Sequence, residues 1–173
     1  MNVSSISNLK LRCNDFISDS IVDGYGLRFV IFTQGCKLRC PGCHNPGTHD
    51  LDAGRLVDVT QIRKKWKRNP LLHGITISGG EPFLQPEPVL ALIRMAHEDG
   101  LNVNIYSGYT YETLIKKDCP YVHQILKEAD LLIDGPYIQQ LRNLNLLWRG
   151  SSNQRIIDLA KTNQYQELVI IPD

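Results

Sequence analysis

No stretch of this chain is apolar for long enough to cross a bilayer. The longest unbroken runs, such as residues 89–93, reach four or five residues, against the ~20 that a spanning helix needs. Residues 1–5 carry neither a basic patch nor an apolar run, so no signal peptide is expected there and a cytoplasmic protein is. Charge of one sign is also missing: 19 Lys and Arg face 18 Asp and Glu, for a net charge of +1. That balance lacks the excess of cations with which a protein neutralises phosphates, so neither nucleic acid nor a membrane is expected as a partner. No internal repeat, low-complexity tract or long run of charge occurs. With 173 residues the chain is short of the ~250 that a closed eightfold βα barrel takes, so a single domain over 1–173 is expected, with room for only part of such a barrel. Cysteines in even number are absent as well. The five are Cys13, Cys36, Cys40, Cys43 and Cys119, and clustered thiols in a reducing compartment bind metal or do redox chemistry more often than they form disulfides.

What is present alternates short apolar strands with amphipathic helices, the pattern of an α/β fold with parallel strands. Strands are expected over 27–33, 74–78, 101–106 and 130–134, and less clearly over 154–159 and 167–171. Residues 10–12 and 16–17 read as material for pairing at a sheet edge. Helices are expected from an Asp58 N-cap through about Arg68, over 87–99 with Gly100 as the stop, after a Thr110 cap, and again from Pro120. Polar and glycine-rich clusters follow the strands at 34–49, 78–82, 106–110 and 134–137. In parallel α/β architectures ligands bind outside the carboxyl ends of the strands, so these clusters are expected on one rim.

The first cluster holds Cys36-Lys37-Leu38-Arg39-Cys40-Pro41-Gly42-Cys43, a C-x3-C-x2-C spacing. Two chemistries fit it. A structural zinc is closed by four ligands, and the fourth would be His44, His49, Cys13 or Cys119. An iron–sulfur cluster normally takes four thiolates, and three close ones leave an iron open to substrate. A zinc-stabilised binding module, a plain electron carrier and a radical enzyme all remain compatible with the spacing alone.

Cys36, Cys40 and Cys43 after a first strand, with Gly79-Gly80-Glu81-Pro82 after a second, resemble the radical S-adenosylmethionine superfamily. The runs Ser20-Ile21-Val22-Asp23-Gly24-Tyr25-Gly26-Leu27-Arg28, Gln34-Gly35-Cys36 and Cys40-Pro41-Gly42-Cys43-His44-Asn45-Pro46 are similar to the activating enzymes of glycyl-radical enzymes. Arg149-Gly150-Ser151-Ser152-Asn153-Gln154-Arg155 resembles the branch that acts on anaerobic ribonucleoside-triphosphate reductase. The chain departs from the common pattern at Gly42, where an aromatic is usual before the third cysteine, and at Tyr25, where proline is commoner.

The resemblance implies an α/β fold of the incomplete, open parallel (βα) barrel type with about five or six strands. It implies that Cys36, Cys40 and Cys43 hold a [4Fe-4S] cluster whose open iron chelates S-adenosyl-L-methionine. It further implies that Gly79, Gly80 and Glu81 line the amino end of that cofactor, that Ser107 contacts its ribose or methionine part, and that Asp134 belongs to the polar rim. The implied activity is reductive cleavage of S-adenosylmethionine and formation of a glycyl radical on the anaerobic reductase, with a one-electron donor such as flavodoxin as second partner. The alternatives are an activase of another glycyl-radical enzyme such as pyruvate formate-lyase, or a radical enzyme acting on a small molecule. No catalytic acid or base is expected. Arg28 reads as a strand-start residue near the cluster or a structural one. His44 is a candidate hydrogen-bond donor, and residues 149–155 a candidate lining of the barrel's open side.

Overall fold

The computed structural model describes residues 9–172; the reading of residues 1–5 falls outside these. Eight strands form one sheet in the order β3-β1-β2-β4-β5-β6-β7-β8. They are β1 (Lys10–Ser20), β2 (Arg28–Thr33), β3 (Arg55–Asp58), β4 (Gly74–Gly79), β5 (Asn102–Tyr106), β6 (Leu131–Asp134), β7 (Arg155–Asp158) and β8 (Ile170–Ile171). The helices are α1 (Val59–Trp66), α2 (Pro86–Glu98), α3 (Tyr111–Leu114), α4 (Pro120–Glu128) and α5 (Leu159–Tyr165).

The expectation of a parallel sheet with five or six strands holds only in the centre. β2, β4, β5 and β6 pair in parallel. β1 and β3 on one flank, and β7 and β8 on the other, pair antiparallel. The connections explain the difference where each flank joins the centre. Successive parallel strands need a crossover, and α1, α2 and α4 supply one between each central pair. β1 turns straight into β2 through 21–27. β6 returns as β7 through 135–154, which holds a 3-10 turn but no crossover helix. Returns without a crossover helix produce antiparallel neighbours.

Period-two alternation sorts the sheet's faces. Phe29, Ile31, Ile75, Ile77, Val103, Ile105 and Leu132 are buried together with α1, α2, α4 and α5 residues such as Ile62, Trp66, Leu90, Ile93 and Ile125. Contacts run α1–α2, α2–α4 and α4–α5, so these helices form a row over that face. Arg28, Phe32, Thr76, Ser78, Asn104 and Tyr106 occupy the intervening positions. A strand that alternates apolar with polar has one face on a core and the other on something polar. Here the second face carries the cavities described below.

β3 and α5 were not legible as elements. β3 has four residues and draws its order from pairing with β1. α5 begins one residue after β7, with Asp158 accepting from Lys161 N at 2.9 Å as its cap. Asp58 does stand at the N-cap of α1 but makes no side-chain cap hydrogen bond. Among the described residues no helix is long and apolar enough to cross a membrane.

Candidate functional site

The loop after β2 is shaped by a turn that its sequence demands. Cys43 N donates to Cys40 O at 3.1 Å, and Gly42, the third residue of the turn, has φ +74°. Proline second and a left-handed residue third is the signature of a type II turn, in which glycine is favoured at the third place. A Cβ on Gly42 would also come within 2.9 Å of the Gln139 side chain. Glycine in place of the usual aromatic therefore has a conformational cause.

This turn brings Cys36, Cys40 and Cys43 onto one cavity of about 130 Å³, together with Gly79, Gly80, Ser107, Gly108 and Gly135. The strand-end clusters thus meet on one rim. Burial pushes the Cys36 thiol pKa up, while the backbone N–H groups of Leu38 and Arg39 pull it back. Asn45 N donates to Cys43 Sγ at 3.4 Å. Among the described residues no three His, Cys, Asp or Glu side chains stand gathered around a single ion. Cys13 lies fully buried in the core, where burial pushes its thiol up to about 12. Cys119 stands at the N-cap of α4. Neither lines the cavity.

A second cavity of about 550 Å³ shares Cys43, Ser78, Tyr106, Tyr137 and Gln154 with the first. Val22 and Asp23 bound it on one side, and Trp148, Arg149 and Gly150 on another. Such a volume suits a ligand of nucleoside size. Tyr106 Oη donates to Trp148 O at 2.8 Å, and the Tyr25 ring meets the Trp148 ring edge-on at 4.5 Å. Trp148 has φ +54°, a left-handed conformation that bulky residues seldom adopt and that persists only where the surroundings enforce it.

Gly80 sets how closely the second strand end meets the cysteine loop. Gly80 N donates to Thr33 O and Glu81 N to Gly35 O, both at 2.8 Å. A Cβ on Gly80 would lie 2.3 Å from Gly35 O, and a backbone atom there cannot move aside. The glycine is required by close approach of two backbones.

Glu81, by contrast, does not line either cavity. It is fully buried. Its carboxylate accepts from Phe83 N at 3.0 Å, Gly108 N at 2.9 Å and Ser107 Oγ at 3.0 Å. Ser107 lines the cavity, but its hydroxyl is spent on Glu81 and also accepts from Tyr109 N at 3.0 Å. Glu81 thus ties the end of β4 to the end of β5. Burial pushes its carboxyl up to about 7 from 4.5, against the pull of its three donors. The sign follows from linkage: the stabilising contribution is full below about pH 4.5 and is lost as the pH rises through about 7. In Glu81→Gln the amide nitrogen must face one of the two backbone N–H donors, so one hydrogen bond is replaced by a repulsion. We expect the variant to lose about 1–3 kcal/mol and to flatten the decline in stability between those pH values. A pH series of thermal unfolding checks this; an unchanged slope would place the titrating group elsewhere.

Asp134, expected on the ligand rim, lines neither cavity. It is fully buried, accepts from Tyr111 N at 2.7 Å, and pairs with Arg155, whose Nε stands 2.9 Å from Oδ1. Arg155 also bonds Glu112 at 2.9 Å. A buried carboxylate needs such a partner; its neighbour Gly135 reaches the cavity instead. The 149–155 segment divides in the same way. Arg149, Gly150 and Gln154 line the larger cavity. Arg155 turns away, and Asn153 Nδ2 donates to Pro136 O at 2.7 Å. Arg28 lies at the start of β2, whereas the cysteines follow its end, so it is not near them. His44 lines the larger cavity, its ring 4.8 Å from that of Tyr137. Tyr106, Tyr137 and Trp148 were not singled out from the sequence. Tyr106 and Tyr137 carried a signal, as members of the 106–110 and 134–137 clusters expected on the rim; Trp148 carried none.

Residues 22–157 match the family described as a 4Fe-4S single cluster domain. The anaerobic ribonucleoside-triphosphate reductase-activating protein of Salmonella typhi is 32% identical over 161 residues, covering 83% of this chain and 96% of that protein. Its counterpart from Escherichia coli K12 is 30% identical over 149 residues, 78% of this chain and 90% of the relative. The pyruvate formate-lyase-activating enzyme of Clostridium pasteurianum is 36% identical over 128 residues, 70% of this chain and half of the relative.

Proposed function

The chain belongs to the radical S-adenosylmethionine activating enzymes of glycyl-radical enzymes, and from that membership we propose that it activates anaerobic ribonucleoside-triphosphate reductase. It is an oxidoreductase that uses a [4Fe-4S] cluster and S-adenosylmethionine. The observation that carries the proposal is the convergence of three cysteines and two strand-end glycines on one cavity that opens into a larger one. The donor set fits the cluster: three soft thiolates, two of them with amide N–H groups turned to their sulfurs, and no carboxylate in the lining.

When bound, the cluster supplies the electron that reductively cleaves S-adenosylmethionine, and the hydrogen is taken from a backbone glycine of the partner. Cys36, Cys40 and Cys43 are the proposed cluster ligands. Gly79 and Gly80 admit the amino-acid end of the cofactor to the backbone. Glu81 and Ser107 hold those glycines in place from behind, and Asp134 steadies the rim through Arg155. The larger cavity takes the nucleoside part and the partner's glycine loop. No proton transfer by a side chain is called for.

The row of helices on one face and the polar opposite face support an open part of a (βα) barrel. The full extent of the chain as one domain, a cytoplasmic setting and a flavodoxin-like donor complete the reading. The test mixes the reconstituted, reduced protein with S-adenosylmethionine and the reductase. A glycyl-radical EPR signal and 5′-deoxyadenosine are expected, and the signal should vanish when the reductase's radical-site glycine is alanine. A signal only with pyruvate formate-lyase would move the assignment to the other branch. Deoxyadenosine without a radical on either protein would favour a small-molecule substrate.

A further inference from the structure

One polar atom on the cysteine cavity is unaccounted for. His49 lines that cavity beside Cys36 and Cys40. Its Nε2 is buried and has no hydrogen-bond partner among the described residues. Backbone hydrogen bonds place the residue there. The 3-10 turn Pro46–Thr48 ends on His49, whose N donates to Pro46 O at 3.2 Å, and Cys36 N donates to His49 O at 3.3 Å. The residue's backbone is therefore hydrogen-bonded to that of the first cysteine. A buried ring nitrogen left unpaired costs about 1–3 kcal/mol and calls for an explanation.

The other polar groups around the cysteines supply the context. The N–H groups of Leu38 and Arg39 are turned to the Cys36 sulfur, and Asn45 N donates to Cys43 Sγ. Two of the three cysteine sulfurs thus already face amide donors. Building on the cluster reading above, we propose that the His49 imidazole, with its proton on Nε2, donates a hydrogen bond to a sulfur of the iron–sulfur cluster and raises the cluster's reduction potential. An electron added to the cluster increases the negative charge on its sulfurs. A donor therefore stabilises the reduced state more than the oxidised one. His49 is a positioning residue in this assignment and not a ligand.

The test is a redox titration followed by EPR on the reconstituted full chain. His49→Phe keeps a flat ring and removes the donor; His49→Gln keeps a donor. At the potential where the native cluster is half reduced, the ratio of reduced to oxidised cluster should fall about tenfold in His49→Phe, equivalent to 59 mV for one electron. His49→Gln should recover most of that loss. An unchanged ratio in His49→Phe at full iron content overturns the assignment. A second measurement does not depend on that variant taking up iron. With ¹⁵N-labelled histidine, pulsed EPR of the reduced native protein should show a weakly coupled nitrogen with an exchangeable proton, and the signal should persist in His44→Ala. A strongly coupled, iron-bound nitrogen or no nitrogen coupling overturns the assignment. Failure of the native protein to assemble four irons and four sulfides would instead overturn the cluster reading, and this assignment with it; iron and sulfide analysis detects that before any variant is made.

Discussion

Replacing any one of Cys36, Cys40 or Cys43 with alanine is expected to abolish the brown iron–sulfur absorption and to lower S-adenosylmethionine cleavage by at least ~100-fold. Loss of even a supporting group around a metal costs 10–100-fold, so loss of one ligand in three should cost more. The structure adds a sharper contrast. The three cysteines share one cavity, whereas Cys13 lies in the core beneath the helices and Cys119 stands at the N-cap position of α4. Cys13→Ala and Cys119→Ala should therefore keep the cluster's absorption and iron content. Iron analysis with optical spectra of the five reconstituted variants decides it. Equal loss of the cluster in a Cys13 or Cys119 variant would break the three-ligand assignment.

The second large effect lies at the opposite end of the strands. Arg28 is fully buried, and burial pushes its pKa down to about 10. It has no carboxylate at ion-pair distance among the described residues. Instead Nε donates to Thr76 Oγ1 at 2.7 Å, Nη1 donates to Asn102 Oδ1 at 2.7 Å and to Tyr25 O at 3.1 Å, and Nη2 donates to Ile75 O. The guanidinium fork thus pins the 21–27 turn to β4 and β5, and that turn bears Val22 and Asp23 on the larger cavity. Arg28→Met removes the cost of burying the charge but orphans several buried acceptors at about 1–3 kcal/mol each. We expect a net loss of about 3 kcal/mol, which for a chain of this length lowers the melting temperature by about 6–12 °C. Arg28→Lys should recover little, because one ammonium cannot reproduce the fork. Calorimetry of the three proteins is the measurement, and a shift below 2 °C in Arg28→Met would show that relief of desolvation offsets the lost bonds.

The residues themselves show how far sequence reasoning reaches. The central strands and α1, α2 and α4 were legible because each carries a hydrophobic period and a stop or cap, as in the stripe Val89, Leu90 and Ile93 closed by Gly100. The cysteine spacing and the double glycine were legible because chemistry and backbone approach each restrict the residue type. Glu81 and Asp134 were expected to face the ligand, and neither lines a cavity. A carboxylate at a strand end reads alike whether it faces a ligand or caps the next turn. Only the fold reveals that Phe83, Gly108 and Ser107 occupy the one and Arg155 the other. The antiparallel flanks were missed because strand direction depends on connection geometry rather than on hydrophobic period. His49 was visible as a histidine near cysteines, but its orphaned nitrogen exists only in three dimensions.

The chain has two tryptophans, and they stand in opposite settings. Trp66 is 1% exposed, packs edge-on to Phe29 in the core and donates from Nε1 to Asp99 at 3.0 Å. Trp148 stands at the larger cavity, held by Tyr25 and Tyr106. Ultraviolet emission from the protein is thus the sum of a fixed background and an indicator. Any wavelength shift on adding S-adenosylmethionine belongs to Trp148, so the protein carries its own optical gauge of cavity filling and needs no attached dye.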